Sequence, residues 1–243
     1  MADIRTHREG REFVLYDRDR LGAYRADWFD AQRWQARGSV VHSTKGRGAV
    51  LKREVESELW VLRHYHRGGL VSRLIYDHYI WLGAENSRAF TEWRLLHDLH
   101  RRAFPVPEPM AARVVRHGPF YRADIALAYL PDTRTLSSFL AEGALSDAVW
   151  DAIGAMVRRF HDDGIDHPDL TAHNILLGAA GALHLVDFDN ARRRPPGAWT
   201  VRGMARLQRS LRKVALETGT SFDERAWAQL LRGYENAGRL GSS

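Results

Sequence analysis

Asp169-Leu-Thr-Ala-His-Asn174, followed thirteen residues after Asn174 by Asp187-Phe-Asp189, constrains this 243-residue chain more than any other segment. Asn174 runs directly into Ile175-Leu-Leu177, Asp187 closes Leu183-His-Leu-Val186, and Gly178-Ala-Ala-Gly181 lies between them. Two short apolar runs around a glycine-rich turn predict a β-hairpin, with a polar loop entering one strand and a carboxylate leaving the other. Phosphoryl transfer needs these groups. Its loose transition state asks little covalent chemistry of a protein, so the site must align an acceptor hydroxyl and neutralise charge on the transferring oxygens. Asp169 suits the first task as the base receiving the hydroxyl proton. Asn174 and Asp187 suit the second, because hard oxygen ligands favour Mg²⁺ over the metals that prefer thiolate or imidazole. The competing reading is a polar turn in which His167, Asp169 and Asn174 cap backbone groups. Any one residue alone would favour that reading; the full set, in this order beside these strands, favours the site.

Composition narrows the alternatives. Lys plus Arg total 36 against 30 Asp plus Glu, a formal net charge of +6, and the lysines are Lys45, Lys52 and Lys213 alone. Such a balance favours anionic partners such as nucleotide or acidic lipid. Two charge runs, Arg192-Arg-Arg194 and Arg206 to Lys213, read first as solvated faces and second as anion-binding surfaces. A nucleic-acid partner is not expected, since a pI near 9.9 stands without a stacking motif. There are no cysteines, which excludes disulfides and thiolate metal sites and makes a reducing cytoplasm the expected compartment. No apolar run approaches the roughly 20 residues of a bilayer span, and Met1-Ala-Asp-Ile-Arg-Thr-His-Arg lacks a signal-peptide core, so a soluble or peripheral protein is expected. His161, His167 and His173 straddle a helix end and a loop, which does not make a zinc face.

Along the chain, residues 1–37 read as an N-terminal extension packed on a first lobe at 38–130, followed by a second lobe at 131–243. Ser39-Val-Val-His-Ser43 and Ala49-Val-Leu51 flank Gly46-Arg-Gly48, a predicted hairpin whose glycines would let backbone N–H groups approach phosphates. Leu59 to Arg63 is the next strand, and Arg63 is the candidate cation for the nucleotide phosphates. Lys52 competes for that role, but it follows Gly48 too closely to lie on the third strand. Ser87 to Arg102 predicts an amphipathic helix with Phe90, Trp93, Leu96 and Leu99 or His100 on one face and Glu92 beside it, placed to pair with Arg63. Phe104-Pro-Val-Pro-Glu-Pro109 stops that helix, and strands at Ala111–Arg116 and Phe120–Tyr129 follow. Tyr129-Leu-Pro131 reads as an inter-lobe hinge where adenine would bond to backbone. Helices are predicted at Leu136–Leu140, Ser146–Asp162, Met204–Leu216 and Asp223–Ala237, the second burying Val149, Ile153, Met156, Val157 and Phe160. The expected fold is therefore α+β and bilobal, like a protein kinase: an N-terminal antiparallel sheet with one main helix, then a mostly helical catalytic lobe. Thr171 replaces the lysine that serine/threonine protein kinases commonly carry, and no Ala-Pro-Glu closes an activation segment, so a small-molecule or lipid-linked acceptor is expected.

Several segments together resemble the 3-deoxy-D-manno-octulosonic acid (Kdo) kinases of the lipopolysaccharide kinase group. They are Trp60-Val-Leu-Arg-His-Tyr-His-Arg-Gly-Gly-Leu70, Arg88-Ala-Phe-Thr-Glu-Trp-Arg-Leu-Leu96, Pro105-Val-Pro107, Tyr121-Arg-Ala-Asp124, Arg159-Phe-His161, Asp169 to Leu177, Val186-Asp-Phe-Asp189 and the helix from Ala205 to Lys213. His167-Pro168 and Thr171 depart from the family pattern without removing a catalytic group. The resemblance implies transfer of phosphate from ATP, with Mg²⁺, to the 4-hydroxyl of Kdo on a lipid A precursor. It places the enzyme peripherally at the anionic cytoplasmic face of the inner membrane. The acceptor carries carboxylate and phosphates, so Arg67 and Arg73 are the expected acceptor contacts. The alternatives are a heptose or aminoglycoside phosphotransferase, which the basic balance disfavours for aminoglycosides, and a non-catalytic pseudokinase.

Overall fold

The computed structural model describes residues 2–30, 39–41, 50–55, 58–65, 79–143 and 145–240. Gly46, Gly48, Arg67 and Arg73 lie outside these described residues, as does the whole predicted turn at 42–49. The chain divides into two units, Met1–Tyr129 and Leu130–Ser243.

The first unit is an antiparallel sheet in the order β1-β2-β7-β8-β5-β4-β3, with β6 added on β8. The strands are β1 Ile4–Glu9, β2 Glu12–Asp17, β3 Ser39–Val41, β4 Val50–Val55, β5 Glu58–His64, β6 Tyr79–Ile80, β7 Pro109–His117 and β8 Phe120–Ala128. The opening segment, expected to pack on this unit as an extension, instead builds part of its sheet: β2 pairs with β7 and β1 forms the edge. Phe13-Val-Leu-Tyr16 makes β2 a buried strand, while the polar Arg5-Thr-His-Arg8 leaves β1 largely exposed, as suits an edge. Beyond β2, Trp28 and Phe29 fold back over the sheet, and Trp28 meets Tyr16 and Trp60 edge-on at ring separations of 5.3 and 5.8 Å. This cluster, with Leu62 and Ala126, covers one sheet face. Side chains alternate along a strand, so Arg63 points to the other face. Helix α1, Arg88–Arg101, covers that face with Phe90, Trp93, Leu96 and Leu99, and Ser87 caps it by accepting the Phe90 N–H.

In the second unit a two-residue strand β9, Arg134–Thr135, leads into α2, Leu136–Glu142, and α3 spans Asp147–Asp162. Trp150 rather than Val149 starts the buried face of α3, which continues through Ile153, Met156, Val157 and Phe160. Then come β10 Ile165–Asp166, β11 Ile175–Leu177, β12 Leu183–Leu185 and β13 Arg192–Arg193. The predicted hairpin is β11 against β12, in register Ile175 to Leu185, and β9 pairs on the far side of β11. Helix α4, Trp199–Thr218, starts five residues earlier than the periodicity suggested because the Trp199 indole donates to Pro195 O at 2.8 Å, closing the turn that the Pro-Pro-Gly sequence opens. Helix α5 follows at Glu224–Leu240. Among the described residues no helix is long and apolar enough to cross a membrane.

Helices α3 and α5 cross where both carry glycine. A Cβ on Gly154 would lie 2.0 Å from Leu230 O, and one on Gly233 would lie 2.0 Å from Asp151 O. At the C-terminal end of α3, His161 Nδ1 and the Tyr234 hydroxyl of α5 are hydrogen-bonded at 2.8 Å. Burial pushes the His161 imidazole down to about 4, against the weaker opposing pull of Asp162 and Asp166.

Two outcomes follow from this packing. Gly154→Ala should destabilise the protein by about 3 kcal/mol, the upper range for overpacking because backbone rather than a flexible side chain must yield. An unchanged urea midpoint would exclude so close a crossing. The depressed His161 also sets a pH dependence. Between pH about 6.5 and 4 the unfolded chain takes up a proton that the folded state refuses, so stability falls as pH falls through that window, by roughly 3 kcal/mol in all. His161→Gln should flatten the slope of unfolding free energy against pH between 6.5 and 4; an unaltered slope would assign it to other groups.

Candidate active site

In the second unit the polar loop from His167 to Asn174 leaves β10 and enters β11. It is anchored by its apolar members, Leu170 and Ala172, which are buried. Ala172 is fastened twice through its backbone: its N–H donates to Ser210 Oγ of α4 at 3.1 Å, and its carbonyl accepts the Ser137 N–H of α2 at 3.0 Å. The side chains of Asp169 and Asn174 can therefore be held in place while the loop itself has no regular structure.

Asn174 grips Asp169. Its amide nitrogen donates to the Asp169 carbonyl at 2.8 Å and to Asp169 Oδ2 at 3.0 Å. Both bonds use Nδ2, which leaves Oδ1 of the amide as an oxygen ligand on the other side. Val186 joins the loop to the segment that follows β12 and carries Asp187: its N–H donates to Asn174 O at 2.9 Å, and its carbonyl accepts from His167 Nε2 at 3.1 Å. His167 is buried and meets the Phe188 ring edge-on at 4.9 Å, with Phe188 itself fully buried. Burial holds the His167 imidazole below its ordinary range, so at neutral pH it is uncharged and bonds Val186 from Nε2–H. Asp187 takes a left-handed conformation, φ +65°, between these two fixed neighbours. A non-glycine residue there carries strain that the surroundings must hold, a pattern found at functional sites. His167 was noticed in the sequence as part of the loop motif, but its service to Val186 and Phe188 has no spacing signature.

In the first unit Arg63 on β5 and Glu92 on α1 form an ion pair through Nη2 and Oε2, with the Glu92 carboxylate buried. Tyr65, which the sequence did not single out, donates its hydroxyl to the same Oε2 at 2.5 Å. The Arg63 guanidinium also lies over the Tyr65 ring at 5.0 Å, and Arg88 lies over it at 6.0 Å. A buried carboxylate with a cation and a hydroxyl donor on one oxygen is a fixed anchor for the cation, not a solvated helix charge. On the opposite face of β5, His64 Nδ1 and Arg113 converge on Asp124 at 2.7 and 2.8 Å. Burial alone would raise the Asp124 carboxyl, but the His64 hydrogen bond and the Arg113 charge outweigh it and hold the group below its usual range. Asp124 lies in register with both His64 and Arg113, so this row locks β5, β8 and β7 side by side.

Lys52 lies on β4 in register with Val61, and its side chain is outside the described residues. The Tyr129 N–H is spent on Leu59 O at 2.7 Å, which leaves Tyr129 no backbone donor for a ligand. Among the described residues no three His, Cys, Asp or Glu side chains converge as a metal cage. An ion held by Asn174 and Asp187 would need oxygens from a ligand and from water to complete its shell, which is how Mg²⁺ is commonly bound beside phosphates.

Comparison with known proteins adds the following. Residues 31–234 match the model of the lipopolysaccharide kinase (Kdo/WaaP) family. The chain is similar to the 3-deoxy-D-manno-octulosonic acid kinase of Xanthomonas euvesicatoria pv. vesicatoria, with 40% identity over 95% of this chain and 93% of that one. The protein of that name from Stenotrophomonas maltophilia is 39% identical over 97% and 95% of the two chains. That from Photobacterium profundum is 40% identical over 85% and 88%.

Proposed function

The chain belongs to the lipopolysaccharide kinase (Kdo/WaaP) family, and from that premise we propose that it transfers phosphate from ATP to the 4-hydroxyl of a Kdo sugar on a lipid A precursor, in assembly of the lipopolysaccharide core. The observation that carries this reading is the grip of Asn174 on Asp169, fastened through Val186 to the residue before Asp187. It links Asp169, Asn174 and the residue before Asp187 in one hydrogen-bonded unit, which supports assigning the base and the two oxygen ligands to these residues.

Asp169 serves as the base. Held by Asn174 on one carboxylate oxygen, it presents the other to the acceptor hydroxyl, orients it, and takes its proton as phosphorus–oxygen bond formation proceeds. Asn174 Oδ1 and the Asp187 carboxylate hold Mg²⁺, which when bound neutralises charge on the transferring phosphoryl oxygens. Arg63 binds the nucleotide phosphates. A guanidinium fork can bond a carboxylate and a phosphate oxygen together, so the anchor on Glu92 positions the cation without cancelling its use. Gly46 and Gly48 are assigned to nucleotide binding from the sequence, since glycines let backbone N–H groups approach phosphates. For adenine, Tyr129 offers its carbonyl and ring; the next donor along the chain is the Leu130 N–H, because Pro131 has none. Arg67 and Arg73 meet the anionic groups of the acceptor. A lipid-linked acceptor in turn brings the enzyme to the cytoplasmic face of the inner membrane as a peripheral protein.

The decisive assay offers labelled ATP with Kdo–lipid A precursor, a heptosylated core and an aminoglycoside in parallel; label on either of the last two alone would overturn the acceptor assignment. Asp169→Ala should lower turnover by about 10³-fold while ATP affinity stays within about twofold, as loss of a general base without loss of a nucleotide contact requires. Arg63→Ala should instead weaken ATP binding; equal ATP affinity in this variant would move the phosphate contact to Lys52. Arg67→Ala and Arg73→Ala should raise the KM for the acceptor at low salt and leave that for ATP unchanged.

A further inference from the structure

The two charge runs of the sequence have different fates. Arg193 is paired with Asp163 at 2.5 Å and Arg194 with Asp166 at 3.0 Å, while Arg192 lies 3.9 Å from the same Asp166, so every member of that run has a carboxylate partner inside its own unit. The run on α4 is not. Among the described residues Arg202, Arg206 and Arg209 make no side-chain hydrogen bond or ion pair, and Lys213 reaches only Glu217, one turn on, at 3.8 Å. Arg202, Arg209 and Lys213 are exposed and Arg206 is half-buried.

Their spacing puts them on one line. At about 100° per residue, Arg202, Arg206, Arg209, Lys213 and Leu216 fall within an arc of about 80°, and the stripe runs about 21 Å along the axis. Met204, Leu207, Leu211 and Val214 occupy the opposite, buried side. Leu216, at the end of the cationic stripe, is 85% exposed, and Val201 near its beginning is 70% exposed. A ridge of three unpaired arginines and a lysine, ending in an exposed leucine and flanked about 60° around the helix by an exposed valine, has the chemistry of a surface that lies on anionic headgroups. The same helix holds the loop of Asp169 through Ser210, so what α4 rests on is near that loop.

We propose that this face of α4 is a docking surface for the anionic phospholipid headgroups of a bilayer. The inference rests on the acceptor being lipid-linked, and it names the contact by which the protein reaches such an acceptor. Guanidinium groups suit the partner because each can bond a phosphate in two places.

The test uses the full chain and sedimentation with vesicles of phosphatidylcholine alone or with about one third phosphatidylglycerol, at low and high salt. Binding is expected to the anionic vesicles and to fade with salt. The triple variant Arg202→Gln/Arg206→Gln/Arg209→Gln should lower the partition coefficient on the order of 100-fold, about fivefold per cation, as roughly 1 kcal/mol per basic residue implies. Arg202→Gln and Arg209→Gln alone should each show the fivefold step, which keeps the test decisive if the triple variant folds poorly. Arg101→Gln/Arg122→Gln, which removes two exposed cations of the other unit, should bind as the parent does. Unchanged partition in the single variants, or an equal loss in the control pair, overturns the proposal. So does an equal rise in KM for a deacylated, water-soluble acceptor, which would make these cations an acceptor clamp. Vesicle binding that depends on the stripe, in a protein that transfers no phosphate to Kdo, would sustain the docking surface and reject the acceptor assignment.

Discussion

Val186 carries the arrangement of the loop from His167 to Asn174 on its two backbone groups. Its N–H closes on Asn174 and its carbonyl on the neutral imidazole of His167, so the residue just before Asp187 is tied to both ends of the loop that holds Asp169. Each bond alone is worth about 1 kcal/mol net, but leaving either partner unsatisfied in a buried setting costs more. His167 serves as a neutral ring that donates from Nε2–H, since the low dielectric at its buried position disfavours imidazolium. A loop of irregular backbone thereby acquires the rigidity of the hairpin beside it. The strained φ of Asp187 is tolerated because the residues on both sides, Val186 and the buried Phe188, leave the chain no cheaper path.

The first unit solves a related problem, which is to keep a cation on a strand from following its own flexibility. Arg63 is held on one sheet face by the buried Glu92 and by Tyr65. Its neighbour His64 is held on the other face by Asp124, which Arg113 also grips. Adjacent residues of one strand are thus fastened on opposite faces, which fixes both the register and the rotation of β5. Buried ion pairs add little net stability after desolvation, so the value of these groups lies in geometry.

Legibility in the sequence followed periodicity. The helix around Glu92 and the hairpin of Ile175 and Leu185 were readable because apolar residues recur at 3.6 and flank a glycine turn. Strand β1 was not, because an edge strand rich in Arg, Thr and His shows no buried alternation, and β2 without its partner looked like part of a tail. The early start of α4 escaped for a different reason: Trp199 closes the Pro-Pro-Gly turn with an indole hydrogen bond, and single contacts of that kind leave no period. The same limit hid Tyr65 and the service of His167. The acidic and amide residues of the candidate site stand out in the sequence because phosphoryl transfer would demand their types at a set spacing; the groups that hold them are chosen by shape and burial.

Helix α4 shows why a charge run cannot be judged by composition. Arg192 to Arg194 and Arg206 to Lys213 look equivalent as strings, yet Asp163 and Asp166 lie against the first and no comparable acids lie against Arg202, Arg206 or Arg209 among the described residues. The two runs also differ in what a substitution would cost. Neutralising Arg194 leaves Asp166, a mostly buried carboxylate, with only the weaker Arg192 contact. Neutralising Arg209 strands nothing, because no partner depends on it. A cation that is kept on a helix without an internal partner gains no stability there and suffers repulsion from its neighbours one turn away. The use proposed for it lies outside the fold, with a ligand of opposite charge, and a stripe some 21 Å long matches an extended anionic surface better than a single phosphate.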